Sequence, residues 1–233
     1  FSDIERAYEF GYKDAVWLGY PSHWADPRQI QRSGVFARPE YQTSGLRIFV
    51  CGLKHAGITD NMLASVINAM RSQDARIYFQ VHPSEIEASK NTECRAALFQ
   101  YPNVTELKSR ESVASVMMAC DLTVCTGGAT GIIEGALLRL PVVYYMDAEV
   151  MAYMKKASND EIFGPVAAGA CEIATADTMD AIISMLLSDT SAQLKLRTAQ
   201  EVAFPLQPKE RNTLKEVFDY IQDPARYLAY QQN

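Results

Sequence analysis

The stretch CTGGATGIIEGALLRLPVVYYMD, from Cys125 to Asp147, decides the fold. Its first residue, Cys125, is the last of a short apolar run, DLTVC, that predicts a buried strand. The Gly-Gly pair that follows is typical of a tight turn. The mostly apolar residues after the turn predict a helix. Pro141 then opens a second apolar run, VVYYM, which predicts another strand. The stretch therefore predicts a strand, a turn, a helix and a strand in that order.

The rest of the chain repeats this alternation. Strands are predicted at 46–53, 76–82 and 103–107 before the quoted stretch and near 169–174 after it. Helices are predicted from 59 or 60 to 72 and at 84–99, 112–120, 148–156, 177–188, 190–202 and 208–222. Strands that alternate with helices predict a parallel sheet covered on both faces. The predicted fold class is α/β, with a doubly wound, Rossmann-like parallel sheet and extra C-terminal helices.

Charge and composition exclude some kinds of partner. The 233 residues carry 22 basic and 28 acidic side chains, a formal net charge of −6, and no block of like charges. This distribution disfavours nucleic acid as a partner, because nucleic-acid binding selects a basic patch. No apolar run is long enough to span a membrane, since Glu134 and Arg139 interrupt the best candidate.

The five cysteines form no C-x-x-C pair, which predicts buried thiols in a reduced, cytoplasmic setting. No histidines and carboxylates have metal-ligand spacing, so we expect neither a metal nor a cofactor. Lys54, His55 and His23 are predicted to be solvated. In a doubly wound sheet, ligands bind outside the carboxyl ends of the strands. The loops at that edge are predicted at 52–57, 82–85, 108–111 and 126–131.

One interpretation of the quoted stretch is a dinucleotide-binding turn. GGATGIIE nearly matches G-x-x-G-x-x-G, and Asp147 lies where an acid would bind a ribose hydroxyl. Glu134, however, occupies the last glycine position of that motif, where close helix–strand packing normally requires glycine. Three strand–helix units also precede the stretch, whereas a dinucleotide domain would begin with it. Both facts disfavour this interpretation.

The other interpretation is a site for a sugar nucleotide. Gly127 and Gly128 would let the backbone approach a diphosphate at the N-terminus of the helix that begins near Ala129. Glu134 would then accept hydrogen bonds from the two ribose hydroxyls. A structural explanation stays open for each feature: glycines also serve tight turns, and Glu134 could be an ordinary helix-surface acid.

Three segments resemble enzymes of the GT-B fold: the lipid II-forming and lipid-A-disaccharide-type glycosyltransferases and UDP-N-acetylglucosamine 2-epimerase. ACDLTVCTGGATGIIEGALLRLPVV resembles their nucleotide-binding signature, RIYFQVHPSE their strand ending in His-Pro, and GACEIATADTMDAIISMLLSD their closing strand and helix. The resemblance covers roughly 46–190. It implies that the chain is the C-terminal, donor-binding half of such an enzyme.

The resemblance also implies a domain organisation. Residues 1–21 would be the tail end of a missing N-terminal domain and 22–45 a linker. Residues 46–205 would form the nucleotide-sugar-binding domain, and 206–233 a cross-over helix and tail. The catalytic base would come from the missing half.

The implied nucleotide-binding residues lie in three of the predicted loops and the helix after the Gly-Gly pair. They are Thr126, Gly127, Gly128, Ala129 and Thr130 for the phosphates, Glu134 for the ribose, His82 for a phosphate or the base, and Gly52 as a loop contact.

The implied function is that of a metal-independent glycosyltransferase that uses a UDP-linked or similar nucleotide sugar, in cytoplasmic polysaccharide or glycolipid biosynthesis. Its partners would be the nucleotide-sugar donor and the missing N-terminal acceptor domain, where any peripheral membrane contact would be made. Two alternatives stay open: a fragment of UDP-N-acetylglucosamine 2-epimerase, and a nucleotide-sugar-binding module without turnover.

Overall fold

A computed structural model describes residues 30–82, 93–108, 112–159 and 162–204. The described residues from Gln31 onward belong to one compact unit. Its strands are β1 (Leu46–Cys51), β2 (Ala75–Gln80), β3 (Val104–Glu106), β4 (Leu122–Thr126), β5 (Val142–Tyr145) and β6 (Glu172–Ala174). Its α-helices are α1 (Ala56–Ala69), α2 (Glu93–Leu98), α3 (Val113–Met117), α4 (Thr130–Leu137), α5 (Ala148–Ser158), α6 (Gly164–Ala167), α7 (Met179–Ser188) and α8 (Thr190–Ala203).

The strands form one parallel sheet in the order β3-β2-β1-β4-β5-β6. This arrangement confirms the predicted doubly wound α/β fold. From β1 the chain first moves outward to β2 and β3 and then returns to β4 on the other side of β1. The order therefore reverses between β1 and β4, and the carboxyl ends of these two strands flank the crevice where such sheets bind ligands.

The helices cover both faces of the sheet. Because right-handed crossovers that run in opposite directions place their helices on opposite faces, α1 and α4 lie on different faces. The contacts agree, since α1 packs with α2 and α7 whereas α4 packs with α3, α6 and α8. Every residue of β4 and β5 is buried, as expected for strands with helices on both sides.

The first helix begins earlier than predicted. Its pattern predicts a start at Thr59 or Asp60, but α1 begins at Ala56. The reason is His55, whose Nδ1 accepts a hydrogen bond from the Ile58 backbone N–H at 3.3 Å and so caps the helix. The hydroxyl of Thr59 adds bonds to the carbonyl oxygens of Leu53 and His55, both at 3.0 Å.

Helix α4 packs closely on β5 and α3. A Cβ on Gly135 would lie 2.3 Å from Val142 Cγ2 and 2.8 Å from Met117 Cε. Only glycine fits at this distance, so Gly135 is the residue that permits close helix–strand packing. In the sequence motif that position falls on Glu134, one residue earlier. The presence of Glu134 therefore does not count against a dinucleotide-binding turn, although the position of the stretch late in the sheet still does.

The segment before β1 is folded against the sheet. The predicted linker, 22–45, is described from Ile30 onward, and it contains two short 3-10 helices, Val35–Ala37 and Pro39–Tyr41. The hydroxyl of Tyr78 donates a 2.5 Å hydrogen bond to Tyr41 O, and the ring of Phe36 packs edge-on against that of Tyr78. The predicted segments 1–21 and 206–233, and residues 84–92 of a predicted helix, lie outside the described residues.

Candidate functional site

Three loops meet at the carboxyl edge of the sheet, after β1, β2 and β4. A Cβ on Gly52 would lie 2.9 Å from Gln80 O and 3.1 Å from His82 N, so the backbones after β1 and β2 are in close contact. A Cβ on Gly127 would lie 2.9 Å from Leu53 Cδ2. The predicted residues Gly52, His82 and Gly127 therefore belong to one place in the fold.

The turn between β4 and α4 presents an open backbone. Gly127 has φ +59°, the left-handed region that favours glycine, and it is buried. Gly128 is exposed, and no atom lies within 4 Å of the position that its Cβ would take. Ala129 precedes α4 without a side-chain hydrogen bond to the helix start. The positive end of α4 therefore has no side-chain cap, and the turn leaves room for an incoming group beside it.

The side chain of one predicted residue, Thr126, is held by the protein itself. Thr126 is fully buried, and its hydroxyl donates to Tyr145 O at 2.8 Å, which ties β4 to β5. Its side-chain donor is therefore committed. Thr130, the first residue of α4, is exposed beside the Gly-Gly turn.

Glu134 lies on α4, half-buried, with its Oε2 atom buried. Its charge acts on Cys125 in the neighbouring strand. The pKa of the Cys125 thiol is raised well above its usual value, first by a hydrogen bond with the Cys51 thiol, then by burial, and to a smaller extent by Glu134. Glu134 is thus close to Cys125 of β4 and only partly exposed to solvent.

Tyr144 lies beneath this turn. Its side chain is fully buried on β5. Burial raises the pKa of Tyr144 to about 12, the charge of Cys171 adds to the increase, and a hydrogen bond from the Gly127 backbone N–H to the hydroxyl oxygen opposes it. The hydroxyl is therefore close to the Gly127 amide and stays protonated at neutral pH.

Helix α5 reaches over the turn toward α1. The nearest ring atom of Tyr153 lies 3.5 Å from the Cβ position of Gly127, and the ring centroid lies 5.9 Å from that of His55. One helical turn earlier, Glu149 Oε1 lies 3.9 Å from His55 Nδ1, and Glu149 Oε2 accepts from Asn61 Nδ2 at 3.3 Å. These side chains connect the start of α1 with the Gly-Gly turn.

The sequence places His55 in one of the predicted edge loops, 52–57, but it does not single out Glu149, Tyr153 or Tyr144 as residues of this region. His55 was predicted to be solvated, and its side chain is 44% exposed, but its ring also caps α1. The spacing of Glu149 and Tyr153, four residues apart in a predicted helix, was the one signal that they share a face.

Within the described ranges, no group of three or more His, Cys, Asp and Glu side chains could hold a metal ion. Likewise, none of the helices described there is long and apolar enough to cross a membrane.

Comparison with known proteins identifies the fold. No family model matches the sequence, and no curated protein does. A putative UDP-N-acetylglucosamine 2-epimerase from Listeria monocytogenes aligns with TM-score 0.54 and 11% identity, over 83% of this chain and 48% of that chain. MurG from Acinetobacter baumannii aligns with TM-score 0.51 and 18% identity, over 84% of this chain and 54% of that chain. The chain has the fold of one GT-B half.

This result confirms the resemblance stated from the sequence, at the level of the fold. The chain spans about half the length of these solved chains. At 11% and 18% identity the likeness concerns the backbone arrangement. The assignment of a ligand to the crevice must rest on the residues that line it.

Proposed function

We propose that this domain binds the diphosphate and ribose of a nucleotide sugar, UDP-linked, as the donor half of a GT-B glycosyltransferase. The observation that carries the proposal is the Gly127–Gly128 turn. It combines a positive φ at Gly127, open space at Gly128 and an α4 N-terminus without a side-chain cap.

The diphosphate would bind at this turn. Backbone N–H groups and the positive end of α4 favour an anion there, and no side chain occupies the place beside Gly128. A phosphate oxygen at this position would supply the acceptor that the start of α4 lacks. Ala129 and Thr130 would contribute through their backbone, and His82 and Gly52 would line the same crevice from the loops after β2 and β1.

The ribose would bind to Glu134. Glu134 lies on α4 about one turn beyond the first residue of the helix, Thr130, and its carboxylate is close to Cys125 of β4. A carboxylate accepts hydrogen bonds, and the two neighbouring hydroxyls of a ribose can donate them. An ionised phosphate has no such donors. The glycines and the acid therefore suit different parts of one nucleoside diphosphate.

The chemical role of the site would be to stabilise a departing nucleoside diphosphate. As the bond from the sugar to the diphosphate breaks, negative charge develops on the leaving oxygen, and preorganised amides and a helix dipole stabilise that charge. The mechanism that we propose uses no metal. Transfer would also need an acceptor-binding domain that supplies the other wall of the crevice and the catalytic base, because holding both substrates in one closed site provides most of the rate.

A pair of glycine substitutions tests the proposal. Gly128→Ala and Gly34→Ala each add a methyl group where no protein atom lies within 4 Å, so both variants should keep the stability of the wild type. Only Gly128 belongs to the proposed phosphate turn. We expect calorimetry to show weaker UDP binding by Gly128→Ala and unchanged binding by Gly34→Ala. Equal affinities for all three proteins would overturn the proposal.

A further inference from the structure

We propose that Gln80, the last residue of β2, recognises the nucleobase of the ligand, by pairing its side-chain amide with the N3–H and a neighbouring carbonyl oxygen of uracil. This inference rests on the proposed function. It adds a partner for the base to the partners already proposed for the diphosphate and the ribose.

The amide of Gln80 contains a buried acceptor that lacks a donor. The residue as a whole is partly exposed, but its Oε1 atom is buried and accepts no hydrogen bond from any residue that the structure describes. Such an oxygen costs free energy, because its lost hydration is not compensated. Methionine has a similar length and shape and would avoid this cost. A ligand that brings an N–H donor would remove it.

The strand register places Gln80 in one row with two cysteines, Cys51 and Cys125. Cys51 of β1 pairs with Gln80, and the register of β1 and β4, continued by one residue, places Cys51 beside Cys125. Paired residues of parallel neighbours point to the same face of the sheet, because side chains alternate along each strand. The Sγ atom of Cys125 lies 3.2 Å from the Cβ position of Gly131 on α4. The whole row therefore lies on the α4 face.

This row connects the proposed ribose position with Gln80. Glu134 lies three residues after Gly131 and so on the same side of α4. From Cys125 to Gln80 the row crosses two strand spacings, about 10 Å, which is the scale of a nucleoside. Cys125 is fully buried, whereas Cys51 and Gln80 are partly exposed, so the row becomes accessible toward β2. A ribose on Glu134 would extend its base over the small Cys51 side chain to Gln80.

The chemistry of the amide suits the edge of uracil. A glutamine side chain offers a carbonyl acceptor and N–H donors next to each other. Uracil offers the complement, an N–H donor flanked by carbonyl acceptors, so that two parallel hydrogen bonds can form. The terminal torsion of glutamine is broad, and the amide can turn its oxygen toward the exposed side without changing its other torsions.

The experiment uses Gln80→Met, with Gln73→Met as the matched control, because Gln73 is exposed in the turn before the other end of β2. Calorimetry compares UDP, inorganic pyrophosphate and UDP methylated at the ring N3, which lacks the N–H donor. The wild type should bind UDP about tenfold more tightly than the methylated ligand, since the paired hydrogen bonds are lost. Gln73→Met should behave as the wild type.

Gln80→Met should bind UDP about tenfold more weakly than the wild type does and should no longer distinguish it from the methylated ligand. Its affinity for pyrophosphate should be unchanged, because pyrophosphate carries no base. Urea denaturation without ligand should show a stability equal to or above that of the wild type, since the variant removes a buried acceptor without a donor.

The remaining outcomes contradict the inference. If Gln80→Met binds UDP as tightly as the wild type does, or still distinguishes UDP from the methylated ligand, another group reads the base and the proposed function stands. If Gln80→Met is less stable without ligand, the amide makes a structural bond and the inference is overturned. If the wild type binds neither UDP nor pyrophosphate, the proposed function fails together with this inference.

Discussion

Leu53 in the loop after β1 packs against Gly127 at the end of β4, so that a Cβ on Gly127 would lie 2.9 Å from Leu53 Cδ2. This contact joins the two strands between which the sheet order reverses. The proposed diphosphate turn begins at this contact. The glycine at this position is required by both its neighbour and its backbone conformation.

Gly127→Ala should therefore destabilise the domain. A left-handed conformation costs a residue with a Cβ about 1–2 kcal/mol, and the clash with Leu53 adds to this. Urea denaturation measures the loss, and Gly128→Ala, which has room for its methyl group, is the matched control. Equal stability of the two variants would contradict the described turn.

Replacing Glu134 with Gln should weaken UDP binding and leave pyrophosphate binding nearly unchanged. Only UDP carries the ribose hydroxyls that the carboxylate would accept from. A hydrogen bond to a charged group is worth about 1.5–3 kcal/mol, so the expected loss is about tenfold to a hundredfold. Calorimetry on the folded variant makes the comparison. Equal losses for both ligands would show that Glu134 is a structural acid.

The cap of α1 gives a prediction that does not depend on any ligand. His55→Ala removes the acceptor for the Ile58 N–H and should lower the free energy of unfolding by about 0.5–2 kcal/mol. His55→Asn should retain most of the wild-type stability, because asparagine is a good N-cap residue. Thermal or urea denaturation of the two variants checks this prediction. If His55→Asn loses as much stability as His55→Ala, the imidazole ring stabilises the domain through its contact with Tyr153 and not through the cap.

The domain should lose stability at alkaline pH. The folded-state pKa values of Tyr144 and Tyr145 are raised from 10.0 to about 12, in both cases mainly by burial. Their contribution to stability is complete below pH 10 and is lost as the pH rises through about 12. Tyrosinate absorbance and circular dichroism, followed together, should change in this window. Ionisation of both tyrosines near pH 10 without unfolding would contradict their burial.

The sequence predicts the sheet well because local patterns determine it. Strands such as β4 and β5 are mostly apolar, which is the pattern of strands covered on both faces, and Pro141 and the Gly-Gly pair mark where elements change. The start of α1 was missed because histidine is an uncommon cap. The folded segment before β1 was missed because its order comes from contacts with Tyr78 and not from any period of its own.

The candidate site was predictable only in part. The turn glycines could be predicted from the sequence because the backbone conformation of a tight turn depends on the residues within it. The positions of Tyr144 and Tyr153 near the turn depend on which way a strand side chain leans and on where α5 lies relative to the sheet. Neither is set by neighbours in the chain. The same limit explains why the close-packing position was assigned to Glu134 and not to Gly135.

The most direct test of the central claim is a calorimetric titration of the wild-type domain with UDP and, separately, with NAD. The account predicts that UDP binds and NAD does not. In a parallel denaturation experiment, UDP at one hundred times its Kd should add about 2.7 kcal/mol to the stability. Binding of NAD without binding of UDP would contradict the account and favour the dinucleotide interpretation of the Gly127–Gly128 turn.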